Sequence, residues 1–543
     1  MAGIGVLALG GSDTIGGNKL VLRFDGSHVL LDFGTNFKKF GTYYEEYLRP
    51  RSAGGLLDYV EMGVLPDARN LYRDDLMHPE LELKGHDLGA IDLMLLSHAH
   101  ADHFGDMGFL RTDIPVATNA ISAAIIKAMS DSGKADMGKD YVCPSPRYRT
   151  TFRGTPVVQT CSVKEARERG MCGRDFVMLD GRVPRDFEEF WGMSPAIELA
   201  DSPNKCRPHL PGRLLKGIQS PKVTPYPVDH SVKGATAHVI PTSAGNVIYT
   251  GDLRMHGMNR AATAAFLGAA RSPRPYAMIV EGTRVGRSSD DDPGNRPPTE
   301  EDVLENARQM VSGMGGELVI ADFGPRNIER LETFLAVARE NHRKLVITTK
   351  DAYLLHAMHS ADPKVPIPGP DMLIYDSPKG GESKFEEYVL DRAYPGDEVK
   401  GRDIGRSPGD YLLSFSFFDL KHLVDIKPAR GHYLYSSCEA FSEEQEIDFI
   451  RMGAWLGKYH LDPKGLSFGK DEKGRPKPEF PREGSIHASG HASKEDLVRI
   501  VETIDPEVVI PVHTEATGLE WFKETFGGQR RVETLQEGEW KDI

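Results

Sequence analysis

The residues from His98 to His103 are the part of the sequence whose side chains are best suited to chemistry. Three histidines and one aspartate fall within these six positions, directly after the apolar run Ile91–Leu96. Such groups are costly to desolvate at a strand end without a partner, and a cation is a suitable partner. His98 and His100 point the same way from an extended segment, whereas Asp102 and the histidine after it can address a second position. The spacing therefore predicts two adjacent metal ions rather than a polar loop that is merely rich in histidine. Imidazole ligands with one carboxylate favour zinc over the alternatives manganese and iron.

The composition limits the partners that the chain can have. Its 543 residues include 66 lysines and arginines against 80 aspartates and glutamates, a formal net charge of −14, so no global basic field attracts nucleic acid. A chain of this length is expected to form two or more domains. No apolar run approaches the ~18 residues of a membrane span, and the start lacks the basic region of an export signal. We expect a cytoplasmic protein without a membrane partner, and a homo-oligomer is left open.

Other acidic and histidine side chains also stand at or just beyond the ends of apolar runs. Asp32 and Asp252 each close such a run, and so do Glu281 and His513. In an α/β fold the carboxyl ends of the strands converge on one rim, so side chains that are distant in sequence can meet there. From residue 276 onward, strand and helix patterns alternate. This alternation predicts a parallel sheet with flanking helices, in a domain of its own.

The pattern His-x-His-x-Asp-His at residues 98–103 resembles the signature of the metallo-β-lactamase fold. The resemblance implies an α/β protein built as an αββα sandwich. His230, a lone histidine after a proline, and Asp252, which closes an apolar run after a Thr-Gly pair, match the third and fourth metal motifs of that fold. The resemblance also implies that Asp32 braces the metal ligands from behind. The alternative for Asp32 is an aspartate that caps its own turn.

The second half of the chain resembles the β-CASP nucleases, and within them most closely the ribonuclease J family and its archaeal relatives. The motifs are Glu281, Asp-Phe-Gly-Pro-Arg-Asn at 322–327, Ser-Gly-His-Ala-Ser at 489–493, and Pro-Val-His ending at His513. In that family an α/β domain is inserted into the metallo-β-lactamase fold. The sequence departs from bacterial ribonuclease J in a long insertion, and it stops soon after the last motif without the usual C-terminal domain. The implied segments are a metallo-β-lactamase domain at 1–260 with an insertion at about 132–222, a β-CASP domain at 261–483, and a returning segment at 484–543.

The resemblance assigns a role to each site residue. The first zinc ion is assigned to His98, His100 and His230. The second zinc ion is assigned to Asp102, His103 and His513, with Asp252 as the bridge. His491 would contact the scissile phosphate or protonate the leaving group, oriented by Glu281, so the implied catalytic set is His491, Glu281, Asp102 and Asp252. Phosphate contacts are assigned to Ser489, Gly490, His491, Ala492 and Ser493, although helix capping accounts for Ser493 equally well.

The function that the resemblance implies is a ribonuclease with two zinc ions per chain. It would hydrolyse single-stranded RNA during processing or decay, as a 5′–3′ exonuclease, an endonuclease or both. A histidine at the last motif, as at His513, is typical of RNA-directed members, whereas DNA-repair members usually carry valine. The alternatives are a hydrolase of small esters or amides, a DNA-directed β-CASP nuclease, and a binding protein with decayed chemistry. Basic and aromatic residues at 147–153 can grip a single strand, although a solvated loop explains them nearly as well.

Overall fold

The computed structural model describes residues 3–45, 47–133, 136–161, 173–195, 212–218, 220–286, 298–378, 380–381, 383–437, 443–470, 476–481 and 484–543. The chain divides into two compact units. The first unit comprises Met1–Met255, Asn259–Asn295 and His491–Ile543, and the second comprises His256–Met258 and Arg296–Gly490. In the described ranges, no helix combines the length and the hydropathy that a membrane span requires.

Two sheets stack face to face in the first unit. Val6 and Leu22 from one sheet share a core with Ile240 and Ile279 from the other, because strands with apolar residues on alternate positions bury one face together. Within the described residues the larger sheet has eight strands, in the spatial order Leu214–Lys216, Phe176–Met178, Val116–Thr118, Leu93–Leu95, Ser27–Phe33, Lys19–Phe24, Gly5–Gly10 and Trp540–Asp542. The smaller has six, in the order Thr224–Pro227, Thr236–Thr242, Gly245–Tyr249, Ala277–Glu281, Val508–Val512 and Arg531–Val532.

Helices cover the outer face of the six-stranded sheet. The helix Lys494–Ile504 buries Leu497, Ile500, Val501 and Ile504, which lie on one stripe at helical spacing. The helices Arg260–Ala270 and Ala516–Phe526 contribute to the same core. The other helices in the described part of the first unit are Phe37–Tyr43, Leu57–Glu61, Ala101–Phe104, Ala120–Ser132 and Arg185–Gly192, with 3-10 turns at Ser52–Gly54, Asp74–Leu76, Met107–Phe109 and Met137–Lys139.

One strand that was predicted for the second domain lies in the first unit. Ala277–Glu281 lies between Gly245–Tyr249 and Val508–Val512 in the six-stranded sheet, parallel to both. A boundary at residue 261 therefore falls too early. A strand buried on both faces has the same apolar pattern in either sheet, so the sequence pattern does not distinguish the two assignments.

The predicted insertion at about 132–222 is partly described. Two of its segments, Phe176–Met178 and Leu214–Lys216, extend the eight-stranded sheet at one edge as parallel strands. A separate hairpin pairs Arg147–Phe152 with Thr155–Thr160. Residues 134–135, 162–172, 196–211 and 219 of this insertion lie outside the described residues.

The second unit is built on a parallel sheet, as the alternation of strands and helices predicts. Its seven described strands follow the order Glu398–Lys400, Met372–Asp376, Lys344–Thr348, Tyr411–Ser414, Leu318–Asp322, Gly431–Tyr435 and Leu461–Lys464. A small hairpin pairs Ser467–Lys470 with Pro476–Glu479. Its helices, among the residues that the structure describes, are Glu300–Ser312, Ile328–Glu340, Thr349–Ala361, Lys384–Tyr388, Gly401–Arg406, Leu423–Ile426 and Glu443–Lys458, with a π turn at Val389–Ala393 and 3-10 turns at Pro408–Asp410 and Phe417–His422.

A buried ion pair in the second unit holds the segment that leads toward residue 489. Arg330 and Glu300 lie 3.1 Å apart and are both almost fully buried. The same guanidinium donates to the carbonyl oxygen of Ile486 at 3.0 Å. Because breaking a buried pair of this kind costs about 3–5 kcal/mol, the backbone at 486 is firmly tied to this unit.

Candidate metal centre

The metal-ligating side chains predicted from the sequence meet at one end of the two sheets of the first unit. His98 follows the strand Leu93–Leu95, Asp252 follows Gly245–Tyr249, and His513 follows Val508–Val512. Gly251 has a φ of +54°, and a Cβ on it would lie 2.5 Å from the Cβ of Ser97. A glycine is therefore required directly before Asp252, because the turn passes so close to the histidine-bearing segment.

Five overlapping triplets of possible ligand atoms form here among the described residues, each with its atoms within 4.8 Å of one another, and two of them match the sets predicted from the sequence. A carboxylate at Asp252 lies between them: its Oδ2 is 3.1 Å from His103 Nε2 and 3.6 Å from His98 Nε2. It also lies 3.9 Å from His230 Nε2 and 4.0 Å from His513 Nε2. One triplet is His98, His100 and His230, and the other is Asp102, His103 and His513.

Unsatisfied buried atoms show that these residues fit a metal ion. Both carboxylate oxygens of Asp252, which is 2% exposed, lack a hydrogen bond of adequate geometry among the residues that the structure describes. The nearest nitrogen, His103 Nε2 at 3.1 Å from Oδ2, is likewise without one. A buried carboxylate without donors carries a desolvation cost of several kcal/mol unless a cation balances it. Nitrogen-rich ligation with carboxylates is the donor set that zinc prefers.

Burial and mutual charge set the protonation of this cluster. Burial, together with the charge of neighbouring His103, lowers the pKa of His98 well below its usual range. Burial alone would raise the pKa of Asp252, but His103 and His513 outweigh it and hold that pKa well below its usual range. Burial is likewise overcome at Asp102, where His103 and His513 lower the pKa of the carboxyl. Ionised carboxylates and a neutral imidazole are the forms that bind a divalent cation.

Asp32 makes several hydrogen bonds on the side of the candidate ligands that faces away from Asp252. Its Oδ1 accepts from the backbone N–H of Ser97 at 2.8 Å, and its Oδ2 accepts from the hydroxyls of Ser97 at 2.7 Å and Tyr249 at 2.5 Å. The same Oδ2 lies 2.7 Å from His103 Nδ1, which directs the Nε2 atom of that ring toward Asp252. Asp32 has a φ of +58°, a left-handed conformation that costs about 1–3 kcal/mol in a non-glycine residue and that these bonds maintain.

Glu281 and Thr283 orient two histidines from the other side. Glu281 Oε2 accepts from the Thr283 hydroxyl at 2.6 Å and lies 2.8 Å from His491 Nδ1. The Thr283 oxygen is 2.8 Å from His513 Nδ1. Because that hydroxyl donates to Glu281, it accepts from Nδ1–H, and His513 therefore presents Nε2 toward Asp102, 3.2 Å away.

The predicted phosphate-binding segment at 489–493 is divided between the two units. Ser489 and Gly490 belong to the second unit, where the Ser489 carbonyl oxygen lies 3.0 Å from His256 Nε2. His491, Ala492 and Ser493 belong to the first, and the Ala492 side chain packs in its core. The Ser493 hydroxyl accepts from Asp496 N–H at 3.1 Å as the N-cap of the helix Lys494–Ile504. Helix capping is therefore the role of Ser493 seen here, and phosphate binding by this segment stays a prediction.

Three residues at the site are absent from the sequence-based assignment. Ser97, Tyr249 and Thr283 each donate a hydroxyl hydrogen to a carboxylate that holds a histidine. Ser97 is adjacent to the first histidine, so proximity alone was a usable signal. Tyr249 lies in an apolar strand and Thr283 follows one, and neither position has a sequence pattern that indicates a hydrogen bond to the site.

Replacing Thr283 with valine is expected to weaken metal binding by about 10- to 100-fold, because the hydroxyl that orients His513 is lost while the volume is kept. The measurement is a competition titration of zinc against a chromophoric chelator. Thr514→Val is the matched control, since this buried threonine donates to the Gly282 carbonyl oxygen and not to a ligand. An equal loss in both variants would contradict the role given to Thr283.

Comparison with known proteins adds two findings. Residues 484–534, which include His491 and His513, match the family model described as RMMBL, a Zn-dependent metallo-hydrolase RNA specificity domain. The crystal structure of a protein of unknown function from Enterococcus faecalis V583 is similar over 100% of both chains, with 18% sequence identity and a TM-score of 0.63. No curated protein matches the chain. The match at 484–534 supports the metallo-β-lactamase family, and with the stacked sheets it confirms the predicted fold class.

Proposed function

We propose that this protein is a zinc-dependent ribonuclease of the β-CASP type that hydrolyses phosphodiester bonds of single-stranded RNA. The observation that carries the proposal is the pair of ligand triplets around Asp252, whose carboxylate oxygens lack hydrogen-bond partners in the described part of the chain. The match of residues 484–534 to an RNA specificity domain supports RNA as the substrate. That segment supplies His491, which lies 2.8 Å from Glu281, and a hydrolase of small esters has no evident need for this pair.

The ligand atoms are suited to two metal ions. When bound, two zinc ions would stabilise negative charge on the phosphate oxygens and lower the pKa of an attacking water. The protein holds the ligands in place through Asp32 and Thr283, which act on the ring nitrogens that face away from the metals. We assign one zinc ion to His98, His100 and His230, the other to Asp102, His103 and His513, and the bridging position to Asp252.

His491 is the group that we assign to proton transfer at the leaving oxygen. Its Nδ1 lies 2.8 Å from Glu281 Oε2, so the carboxylate accepts the Nδ1 proton and Nε2 is the nitrogen that addresses the substrate. Glu281 is itself held by the backbone N–H of Leu253 at 2.8 Å and by the Thr283 hydroxyl at 2.6 Å. The imidazole is thereby oriented before RNA binds, and a general acid so placed contributes about 10²- to 10⁴-fold in rate.

The proposal is tested by comparing substrates in the presence and absence of metal. Labelled single-stranded RNA, DNA of the same sequence, nitrocefin and a thioester are incubated with the purified protein, with chelator-treated protein, and after zinc or manganese is restored. RNA cleavage is expected to exceed hydrolysis of the other substrates, to disappear on chelation and to return with zinc. Elemental analysis is expected to find about two zinc ions per chain.

The other possible results of this comparison would favour a different function or contradict the bimetallic centre. Faster hydrolysis of nitrocefin or the thioester would favour the small-molecule hydrolase, and equal cleavage of DNA would favour a DNA-directed nuclease. A protein that purifies with one metal ion or none, and cannot be loaded with two, contradicts the bimetallic centre. RNA with a 5′-monophosphate, a 5′-triphosphate or an internal label then separates exonuclease from endonuclease activity.

A further inference from the structure

Exposed apolar side chains are concentrated in the amino-terminal part of the first unit. Among the described residues, eleven large hydrophobic side chains are exposed, and five of them fall between residues 15 and 48. Single exposed hydrophobic residues are ordinary in soluble proteins, whereas a concentration of them indicates a contact surface. The five are Ile15, Phe37, Tyr43, Tyr47 and Leu48.

Phe37 is held close to the turn that carries the ligand Asp102. Two residues before it, the backbone N–H of Thr35 donates to the Ala101 carbonyl oxygen at 2.9 Å, and the Thr35 hydroxyl donates to Asp106 at 2.8 Å. Two residues of chain span at most ~7 Å, so Phe37 begins near the rim of the metal centre. Its side chain is nevertheless 61% exposed. A phenylalanine in this position contributes little to the core.

Ile15 belongs to a second segment that is bonded to the turn of Asp102. Three residues after it, the backbone N–H of Asn18 donates to the Asp102 carbonyl oxygen at 3.1 Å. The two segments are joined because the Asn36 amide donates to the Thr14 hydroxyl oxygen at 3.3 Å. Ile15 and Phe37 each directly follow one member of this pair, so the two exposed side chains are carried by backbone segments that are bonded to each other.

The charge around Phe37 suits a polyanion. Residues 34–44 contain Lys38 and Lys39 and no acidic residue, although the whole chain has a net charge of −14. The two lysines lie 3.3 Å from Glu515 and 2.9 Å from Glu537. Exposed ion pairs of this kind contribute roughly 0–1 kcal/mol, so a phosphate can displace the carboxylates at small cost.

We propose that Ile15 and Phe37 form a stacking platform for an RNA base that lies beside the phosphate at the metal centre. This inference rests on the proposed ribonuclease function and specifies how that function selects a single strand. Every base has an aromatic face, so such a platform holds RNA without regard to sequence. A paired base has its faces covered by its neighbours in the duplex, so the platform favours unpaired RNA.

The hairpin in the insertion, whose basic and aromatic residues could also grip a single strand, carries the competing exposed phenylalanine. Its Phe152 is 57% exposed and stacks with Arg153, whose guanidinium lies 5.4 Å from the ring centre. The hairpin is fastened to a different part of the first unit, since Arg149 donates to the Asp74 carbonyl oxygen at 2.9 Å. Phe152→Ala therefore removes an equally exposed phenylalanine that is not tied to the Asp102 turn.

Phe37→Ala is expected to raise KM for a short single-stranded oligoribonucleotide by about 5- to 150-fold, with kcat within about twofold of wild type. Phe37→Trp is expected to retain wild-type KM, because the larger ring still stacks. In the wild type, a substrate with one abasic nucleotide beside the cleaved bond should show a similar increase in KM. That substrate should cause no further increase in Phe37→Ala, because the stacking partner is already absent.

The possible results separate this inference from the proposed function. If the wild type cleaves RNA and Phe37→Ala has an unchanged KM, the platform is overturned while the ribonuclease function stands. A KM increase in Phe152→Ala instead of Phe37→Ala would assign base stacking to the hairpin and would also overturn the inference. If the metal-loaded wild type cleaves no RNA, the proposed function fails and this inference fails with it.

Discussion

Replacing His491 with alanine is expected to reduce cleavage of single-stranded RNA by about 10²- to 10⁴-fold while the zinc content of the purified protein stays near that of the wild type. The structural reason is that His491 Nδ1 is taken up by Glu281 Oε2 at 2.8 Å. The same nitrogen lies 3.7 Å from Asp252, in a possible ligand triplet with His230, so the zinc content of this variant is the decisive measurement. Single-turnover cleavage and elemental analysis of the same preparation provide the measurement. His28→Ala, which removes a half-buried histidine outside the cluster, is the control for loss of an imidazole.

His513→Ala is the contrasting variant for this prediction. His513 Nε2 lies 3.2 Å from Asp102 Oδ2, and its Nδ1 is held by Thr283, which is the arrangement of a ligand. This variant is expected to lose metal and activity together. If His491→Ala loses a metal ion, or if it turns over RNA at a near-normal rate, the roles given to the two histidines are wrong.

Asp252→Ala is expected to remove most of the bound zinc and to lower RNA cleavage by at least about 10²-fold. Loss of a residue that merely orients a ligand typically costs about 10- to 100-fold in metal affinity, and a bridging carboxylate contacts both metals directly. Neither carboxylate oxygen of Asp252 makes a hydrogen bond within the described ranges, so both oxygens are free to bind metal. Elemental analysis after dialysis and the RNA assay together measure the effect.

Two further measurements make the result for Asp252 interpretable. Circular dichroism of the variant should match the wild type, since the sheets that carry the ligands are packed by their own apolar core. Asp113→Ala removes an exposed carboxylate that pairs with Arg111, and it should change neither metal content nor activity. A fully metal-loaded and active Asp252→Ala protein would show that the bridging assignment is incorrect.

The candidate ligands that are adjacent in sequence could be grouped from the sequence because their geometry is local. A strand that ends at residue 95 and a short helix that begins at Ala101 bring three histidines and Asp102 to one place, whatever the rest of the chain does. The α/β fold class was accessible for a similar reason, since strand and helix periodicities are properties of short segments. The distant residues Asp252 and His513 were found because each ends an apolar run, and parallel strands end at a common edge.

The tertiary structure alone decided how these side chains are held. The hydroxyls of Tyr249 and Thr283 contact Asp32 and His513, which are 217 and 230 residues away along the chain. A hydroxyl in or beside an apolar strand has no periodic signal that reveals its partner, because the partner is set by the stacking of the two sheets for Tyr249 and by long-range strand pairing for Thr283. The positive φ of Asp32 is likewise a result of bonds made across that interface.

The assignment of the strand Ala277–Glu281 also required the folded chain. Its residues are apolar up to the terminal glutamate, and this pattern is the same for any fully buried parallel strand. Sequence order placed it beside the helices of the second unit, yet its backbone pairs with Gly245–Tyr249 and Val508–Val512. Local patterns determine that a strand forms and that Glu281 ends it. Which sheet receives the strand depends on long-range pairing with segments before and after the inserted domain, and this pairing gives Glu281 its contact with His491.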